Sequence, residues 1–403
     1  MNSRERLRTT LRHDVPDRLP IDLGGTRQSG IAAAACQALK QRLGITTPTR
    51  VFDLFQMLAE VEQPLRERFG ADVIGLYRPE VAFGIRNERW KSWRLFDGTP
   101  VEVPGDFEPV VEEDGSLAIM RGGEAIARMP RDGFYFDRLE KYPGAAHVSL
   151  DTYQPPLLTA EHVAWYAAQS RALYENTDLA IVAPLGPPYE LFYGLGTGDF
   201  EAWMITLATE PDYVHGLYER LTDAWLINLQ RFADAVGDRV QVVQICDDLG
   251  TQESLFLSVK MFRELMMPHY RRGIEWIHRH TSYRVMLHSD GAIAPLIPSL
   301  IEMGIDVLNP VQTSAAGMDP AELKRQFGRQ LVFWGGSLDC QKTLPYGTPE
   351  EVAAEVRRHV ELLAPGGGYV FASVHNIQAG VPPENIEAMF DAARAVELRE
   401  LAG

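Results

Sequence analysis

Short apolar runs rich in β-branched residues recur along the chain, each followed by a polar or glycine-containing turn and then a helical pattern. They lie at residues 19–23 (LPIDL), 72–76 (DVIGL), 179–185 (LAIVAPL) and 240–246 (VQVVQIC), then at 283–287 (YRVML), 305–308 (IDVL), 331–334 (LVFW) and 369–372 (YVFA). Runs that stay apolar, rather than alternating with polar residues, mark strands covered on both faces, the habit of a parallel sheet. Eight of them interleaved with helices predict an α/β protein, a (β/α)8 TIM barrel, with an open doubly wound sheet as the alternative.

The intervening helices carry their own start signals. Thr348-Pro349-Glu350-Glu351 places Thr at the N-cap, Pro at the first helical position and Glu at the third, a capping box. Asp319-Pro320-Ala321-Glu322 repeats the logic with Asp as the cap, and Pro382-Pro383-Glu384 opens the last helix. Between 258 and 280, Phe262, Leu265, Met266, Tyr270, Ile274 and Ile277 recur at helical spacing and predict a buried stripe. Pro268 falls inside that stripe and predicts a kink or a break. Residues 86–137 depart from the pattern: strand-like segments flank Gly turns such as Asp97-Gly98 and Asp114-Gly115, a hairpin signature. They read as an antiparallel β insertion after the second strand, a candidate cap over the barrel mouth. No repeat or long linker interrupts the chain, so residues 1–403 are expected to form one barrel domain with that insertion.

Composition narrows the function. Across 403 residues, 39 Lys and Arg face 55 Asp and Glu, a net charge of -16. That balance argues against a nucleic-acid partner, because neutralising phosphates needs a basic surface. Cys36, Cys246 and Cys340 lie far apart and form no C-x-x-C pair, which fits a reducing compartment and excludes a disulfide framework. The charged N-terminal stretch does not resemble a signal peptide, and no apolar run is long enough to span a bilayer. A cytoplasmic protein acting on a small molecule, away from membranes, is the expectation.

In a parallel barrel the chemistry gathers at the C-terminal ends of the strands. The residues placed there are Arg27 and Gln28, Tyr189 and Glu190, Asp247 and Asp248, His288 and Asp290, Cys340, and His375. Two imidazoles and a carboxylate, His288, Asp290 and His375, suit Zn2+ or another borderline divalent metal, and equally a proton relay or an anion clamp. Asp247 and Asp248 follow one strand, and alternation points one of them into the mouth as a candidate general acid, the other serving as a cap or turn. Glu190, after Pro187-Pro188-Tyr189, is a candidate ligand or base, or else a solvated helix-start residue. Arg27, in the Gly-flanked loop GGTRQSG, suits a substrate carboxylate or simply faces solvent. Gly25 and Gly30 have P-loop spacing, but Ile31-Ala32 stand where Lys-Ser/Thr is required, so nucleotide binding through such a loop is excluded. Cys340 has no His or Lys within two residues before it and reads as a packed thiol.

Together these segments resemble the uroporphyrinogen decarboxylase superfamily, including its corrinoid-linked, zinc-dependent methyltransferase branch. The opening NSRERLRTTLRHDVPDRLPIDLGG is similar to that family's N-terminal helix and first strand, and GPPYELFYGLGTGDFEAWM to its central Gly-Pro segment. The stretch from LHSDG through GGSLDC to ASVHNIQAGVPPENIEAM is the most specific part. The resemblance covers nearly the whole chain outside 86–137 and implies a (β/α)8 barrel. Arg27-Gln28-Ser29-Gly30 resembles the start of the decarboxylases' arginine loop, with Ile31 where their second arginine stands, and His375 lies where they place a histidine. The methyltransferases bind zinc with H-x-C and a distant Cys; here His288 matches their histidine, Asp290 stands at the first Cys and His375 at the second. The resemblance therefore implies metal-assisted methyl transfer, with Zn2+ at His288, Asp290 and His375 and a corrinoid, free or on a partner protein, as methyl donor. The alternatives are decarboxylation of a tetrapyrrole or other carboxylated substrate, and a corrinoid- or tetrapyrrole-binding barrel without catalysis.

Overall fold

The computed structural model describes residues 1–139, 148–187 and 200–398. Seven parallel strands form one sheet: β1 (Val73–Gly75), β2 (Ala180–Pro184), β3 (Val242–Cys246), β4 (Arg284–His288), β5 (Val307–Asn309), β6 (Val332–Trp334) and β7 (Tyr369–Val370), each hydrogen-bonded to the next in chain order. The segment 19–23 closes the ring. Ile21 bridges Phe371 in parallel, Phe371 N–H donates to Pro20 O at 2.9 Å, and on the other side Asp72 N–H donates to Ile21 O at 2.7 Å. All eight apolar runs thus lie side by side, as expected of a (β/α)8 barrel.

Inward-facing residues alternate along the strands. Val73, Ala180, Val182, Val242, Met286, Val307, Val332, Trp334, Val370 and Ala372 form one buried cluster with Leu7 and Leu11, which the N-terminal helix Ser3–Thr10 and its C-cap insert from below. The outward faces join the main core with the surrounding helices, and Phe262, Leu265, Met266, Tyr270, Ile274 and Ile277 are all buried there. Pro268 acts as anticipated, in a particular way: Phe262–Met266 is π-helical, and the α-helix Met267–His280 starts with the proline in its first turn. Met267 N–H donates to Phe262 O, five residues back. The widened turn accommodates a ring that lacks an N–H and crowds the carbonyl four residues before it. The Thr348 capping box and the Asp319 cap both form. Among the described residues no helix is long and apolar enough to cross a membrane.

The insertion leaves the barrel from the C-terminal end of β1 and is antiparallel throughout. Lys91–Arg94 pairs with Pro100–Val103 around Asp97-Gly98, and Val110–Val111 with Leu117–Arg121 around Asp114-Gly115. Its pairing starts earlier and ends later than 86–137. Glu80–Ala82 pairs with Ile85–Arg86 through Phe83-Gly84, both at positive φ, and Arg138–Leu139 adds to Glu124–Met129. A Phe in the first turn position hides that hairpin from a search for Asn-Gly or Asp-Gly. The insertion rests on a second unforeseen hairpin, Val51–Asp53 with Leu58–Ala59: Phe136 N–H donates to Phe55 O at 2.8 Å, and Phe83 packs against both Phe55 and Phe136.

Closure depends on two buried carboxyls. Asp72, fully buried, accepts from Arg6 Nη1 at 2.6 Å, from Arg18 Nη1 and Nη2 at 2.8 and 2.9 Å, and from Ile21 N–H at 3.0 Å. Removing the acceptor strands charge in a dry setting, so Asp72→Ala is expected to lower the unfolding free energy by about 3–5 kcal/mol. Asp17→Asn, which takes away a half-exposed partner of Arg6, is expected to cost under about 1 kcal/mol. Urea unfolding of both variants checks this, and two equally small losses would refute the clamp.

Asp22 points the other way, into the barrel. It accepts Trp334 Nε1–H at 2.8 Å and Gly25 N–H at 2.7 Å. Burial pushes its carboxyl up to about 6, against hydrogen bonds from Ser29, Trp334 and Gly25 that favour the charged form. A folded-state value above the unfolded one means that the stability linked to this group is complete below about pH 4 and disappears as pH rises through 6. The span corresponds to about 3 kcal/mol. The difference in unfolding free energy between wild type and Asp22→Asn should therefore fall by about that amount from pH 4 to pH 7. A difference that stays flat over this range would contradict a titrating, buried Asp22.

Candidate active site at the barrel mouth

Register places the key side chains. Cys246, His288 and Asn309 are partners across β3, β4 and β5, at one level just below the C-terminal rim. The turn after β4 carries Asp290 and the segment after β7 carries His375. One nitrogen from each of the two imidazoles and one Asp290 oxygen all lie within 4.8 Å of one another. His288 Nε2 is 3.4 Å and His375 Nε2 is 3.8 Å from Asp290 Oδ2, and the two rings are 5.9 Å apart at a tilt of 48°. Ligands about 2.0–2.1 Å from a tetrahedral Zn2+ lie about 3.3–3.5 Å from one another, so the set has to draw together to hold a divalent ion.

His288 is oriented from behind. Asn309 Nδ2 donates to Trp334 O at 3.0 Å, so Asn309 Oδ1 is the atom that meets His288 Nδ1, at 2.8 Å. An oxygen only accepts, hence Nδ1 carries a proton and Nε2 is the nitrogen presented to the mouth. Burial alone lowers the His288 pKa, but Asp290 and Asp248, with the hydrogen bond to Asn309, outweigh it and lift the group to about 9. Burial likewise raises Asp290, yet the neighbouring His288 and His375 hold its carboxyl below the usual carboxylate range. Free of metal, the pair is an imidazolium against a carboxylate, and a metal has to displace that proton.

The adjacent acids separate as alternation predicts. Asp248 Oδ1 accepts Asp290 N–H at 3.0 Å and lies 3.9 Å from His288 Nε2. Asp247 is buried, and its Oδ2 accepts the Tyr270 hydroxyl at 2.7 Å, which ties it to the helix Met267–His280 rather than to the metal-type cluster. Gln28 bridges inside the barrel: its Oε1 accepts from Gln244 at 3.1 Å and its Nε2 reaches Cys246 Sγ at 3.5 Å. Both ends of the amide thus have protein partners. Arg27, about one-third exposed, pairs with buried Asp53 at 3.2 Å. Tyr189 and Glu190 lie outside the described residues.

Above the cluster a pocket of about 320 Å3 is lined by Asp290, Cys340, His375 and the carboxamides of Gln252, Gln312, Gln341, Asn376 and Gln378. Among the described residues no basic side chain other than His375 lines it. Burial, with Asp290 nearby, pushes the Cys340 thiol up to about 11, so it is protonated at neutral pH and is no ready nucleophile. Sequence reasoning missed Asn309, whose signal is its position at the end of a strand beside that of His288. It also missed Tyr77, whose buried hydroxyl has no hydrogen-bond partner among the described residues. Tyr77 shows no pattern in the sequence.

Comparison with known proteins agrees with this architecture. The family model for uroporphyrinogen decarboxylase (URO-D) matches residues 152–396. A uroporphyrinogen decarboxylase from Anaeromyxobacter dehalogenans is 27% identical over 206 residues, covering 50% of this chain and 53% of that protein. One from Xylella fastidiosa is 31% identical over 202 residues, covering 47% and 51%. The alignments thus span about half the length of these curated relatives. A solved methyltransferase from Methanosarcina mazei superposes with a TM-score of 0.60 over 98% of both chains at 17% identity, a likeness of fold. With the family model covering well over half of its residues, the chain belongs to the uroporphyrinogen decarboxylase family.

Proposed function

We propose that the protein is a metal-assisted methyltransferase, in which His288, Asp290 and His375 hold a divalent ion, Zn2+ by the softness of its imidazole donors, next to the pocket that takes a small methyl acceptor. The observation that carries this reading is the convergence of those three donors within 4.8 Å, with His288 locked by Asn309 so that Nε2 faces the others. An ion bound there would act as a Lewis acid and lower the pKa of an acceptor thiol, hydroxyl or amine. Asp248, beside His288 Nε2, is placed to receive the proton the acceptor gives up. The acceptor's freed electron pair then takes the methyl group, and the donor keeps the electron pair of the bond that breaks, as a methylated corrinoid does well. The carboxamides around the pocket offer neutral hydrogen bonds that orient a small polar acceptor.

Decarboxylation of a tetrapyrrole is the second reading, favoured by the names of the curated relatives and by Arg27 near the mouth. It fits the pocket less well. A polycarboxylate of tetrapyrrole size calls for several guanidinium contacts, whereas Arg27 is engaged by Asp53 and the pocket's lining is amide-rich.

Elemental analysis of protein prepared with added Zn2+ is expected to give about one ion per chain, lost in His288→Ala and His375→Ala. Asn309→Ala should keep the ligands but weaken the metal by roughly 10–100-fold, as loss of a ligand-orienting hydrogen bond does. Demethylation of methylcobalamin in the presence of a panel of small thiols and amines, followed by its visible absorbance, should fall at least about 100-fold in His288→Ala. A chain that binds no divalent ion, or one that releases CO2 from uroporphyrinogen without demethylating methylcobalamin, overturns the proposal.

A further inference from the structure

A second cavity, sharing no described residue with the mouth, opens where the chain leaves β1 for the insertion. It has a volume of about 380 Å3, the size of a small-ligand site. Its walls come chiefly from four places: the segment 50–66 at Arg50, Glu60 and Arg66, the segment 74–79, the insertion at Asn87 and Trp90, and the helix Ala160–Asn176 at Trp165 and Gln169. Two features set it apart: a local reversal of charge, and aromatic surface left open to solvent.

The charge comes from Arg50, Arg66 and Arg78, against one lining carboxylate, Glu60. In a chain of net charge -16 that surplus stands out, and neither Arg66, which lies near Glu60, Glu62 and Glu67, nor Arg78 is in an ion pair among the described residues. Arg50 pairs with Glu102 at 3.0 Å. Arg66 donates to the Val61 carbonyl, and among the described residues it has no carboxylate within ion-pair distance. Arg78, exposed, makes neither a hydrogen bond nor an ion pair among the described residues. A guanidinium held partly out of water without a carboxylate is a receptor for a small anion.

The aromatic surface is equally directed. Trp165 Nε1–H is already spent on the Tyr77 carbonyl at 3.0 Å, so the indole offers its face and not its donor. Trp90 lies beneath the Arg50 guanidinium, 5.2 Å from its ring centroid, a cation–π contact that fixes both. Gln169 adds a carboxamide without a side-chain hydrogen bond among the described residues. Flat aromatic walls beside guanidiniums select a ligand that is itself flat at one end and negative at the other.

We infer that this cleft binds a small aromatic anion, a planar ring carrying a phosphate or carboxylate, between Trp90, Trp165 and the Arg66–Arg78 pair. The site is independent of the metal-type cluster and of the reaction assigned to it. Because the insertion supplies one wall and the barrel helix another, an occupant would join the two.

The test uses the full chain, with AMP and phenyl phosphate as probes, followed by calorimetry and by tryptophan fluorescence. At least one probe should bind with a Kd at or below about 1 mM and quench the emission. Adenosine, phenol and inorganic phosphate should each bind at least about tenfold more weakly, because each lacks one of the two features. Arg78→Gln and Arg66→Gln should each weaken the bound probe about tenfold or more, with circular dichroism unchanged. Trp90→Phe should reduce the quench, and His288→Ala should leave the binding intact. Absence of binding by both probes, binding indifferent to the two arginine variants, or binding lost in His288→Ala overturns the inference.

Discussion

Closure of the ring at residues 19–23 is the constraint on which the rest of the molecule depends. This segment pairs with its neighbours through only a few backbone hydrogen bonds. What pins it is the Asp72 carboxylate, which gathers Arg6, Arg18 and the Ile21 amide at one point. A buried ion cluster is poor evidence of net stability, since apolar packing can do as well. Its value here is register: a slip of one residue would turn Asp22 out of the barrel and put its apolar neighbours in. With Asp22 in place the mouth is tied together across the barrel. Asp22 holds the Trp334 indole, the Trp334 carbonyl holds Asn309, and Asn309 sets the tautomer of His288. The fold and the candidate chemistry are thus joined by one chain of hydrogen bonds.

Much of this architecture was legible in the sequence. A strand buried on both faces has to be apolar throughout, and eight such runs survive as neighbours in the barrel. Prolines and capping residues located helix starts because their effects are local: Pro268 lacks an N–H wherever it sits, and the chain answers with a π-turn. The hairpin at Val51–Ala59 and the Phe83-Gly84 turn were not legible. Both are stabilised by aromatic contacts between distant segments, Phe83 with Phe55 and with Phe136, and carry no local turn signal. Tertiary packing decides such elements, and a single sequence does not display it.

The site divides along the same line. His288, Asp290 and His375 were legible because strand ends converge in any parallel barrel, whatever the details. Which of two adjacent acids lies beside His288 was not, since alternation gives opposite sides but not which side. The answer came from Tyr270, whose hydroxyl takes Asp247 and leaves Asp248 beside His288. Arg27 and Gln28 were placed at the mouth by the same logic, and they pair there with Asp53 and Gln244. Sequence position names the residues that reach a cavity; partners determine what remains for a ligand.

The donor set itself says something about the chemistry. Replacing thiolates by a carboxylate and a second imidazole makes the site harder and its charge more dependent on protons. In the metal-free protein the His288 imidazolium faces the Asp290 carboxylate across 3.4 Å, with Asp248 also favouring its charge. In the reading proposed above, the same three groups would meet one electrostatic demand in two ways, with H+ or with a divalent ion. A thiol-rich site would have to ionise its thiols, whereas here Asp290 is already a carboxylate and the proton to be displaced is the one on His288. The neutral carboxamides above it complete the design. They contribute hydrogen bonds without a field of their own, so the charge at the bottom of the mouth stays dominated by His288, Asp290 and whatever cation they hold.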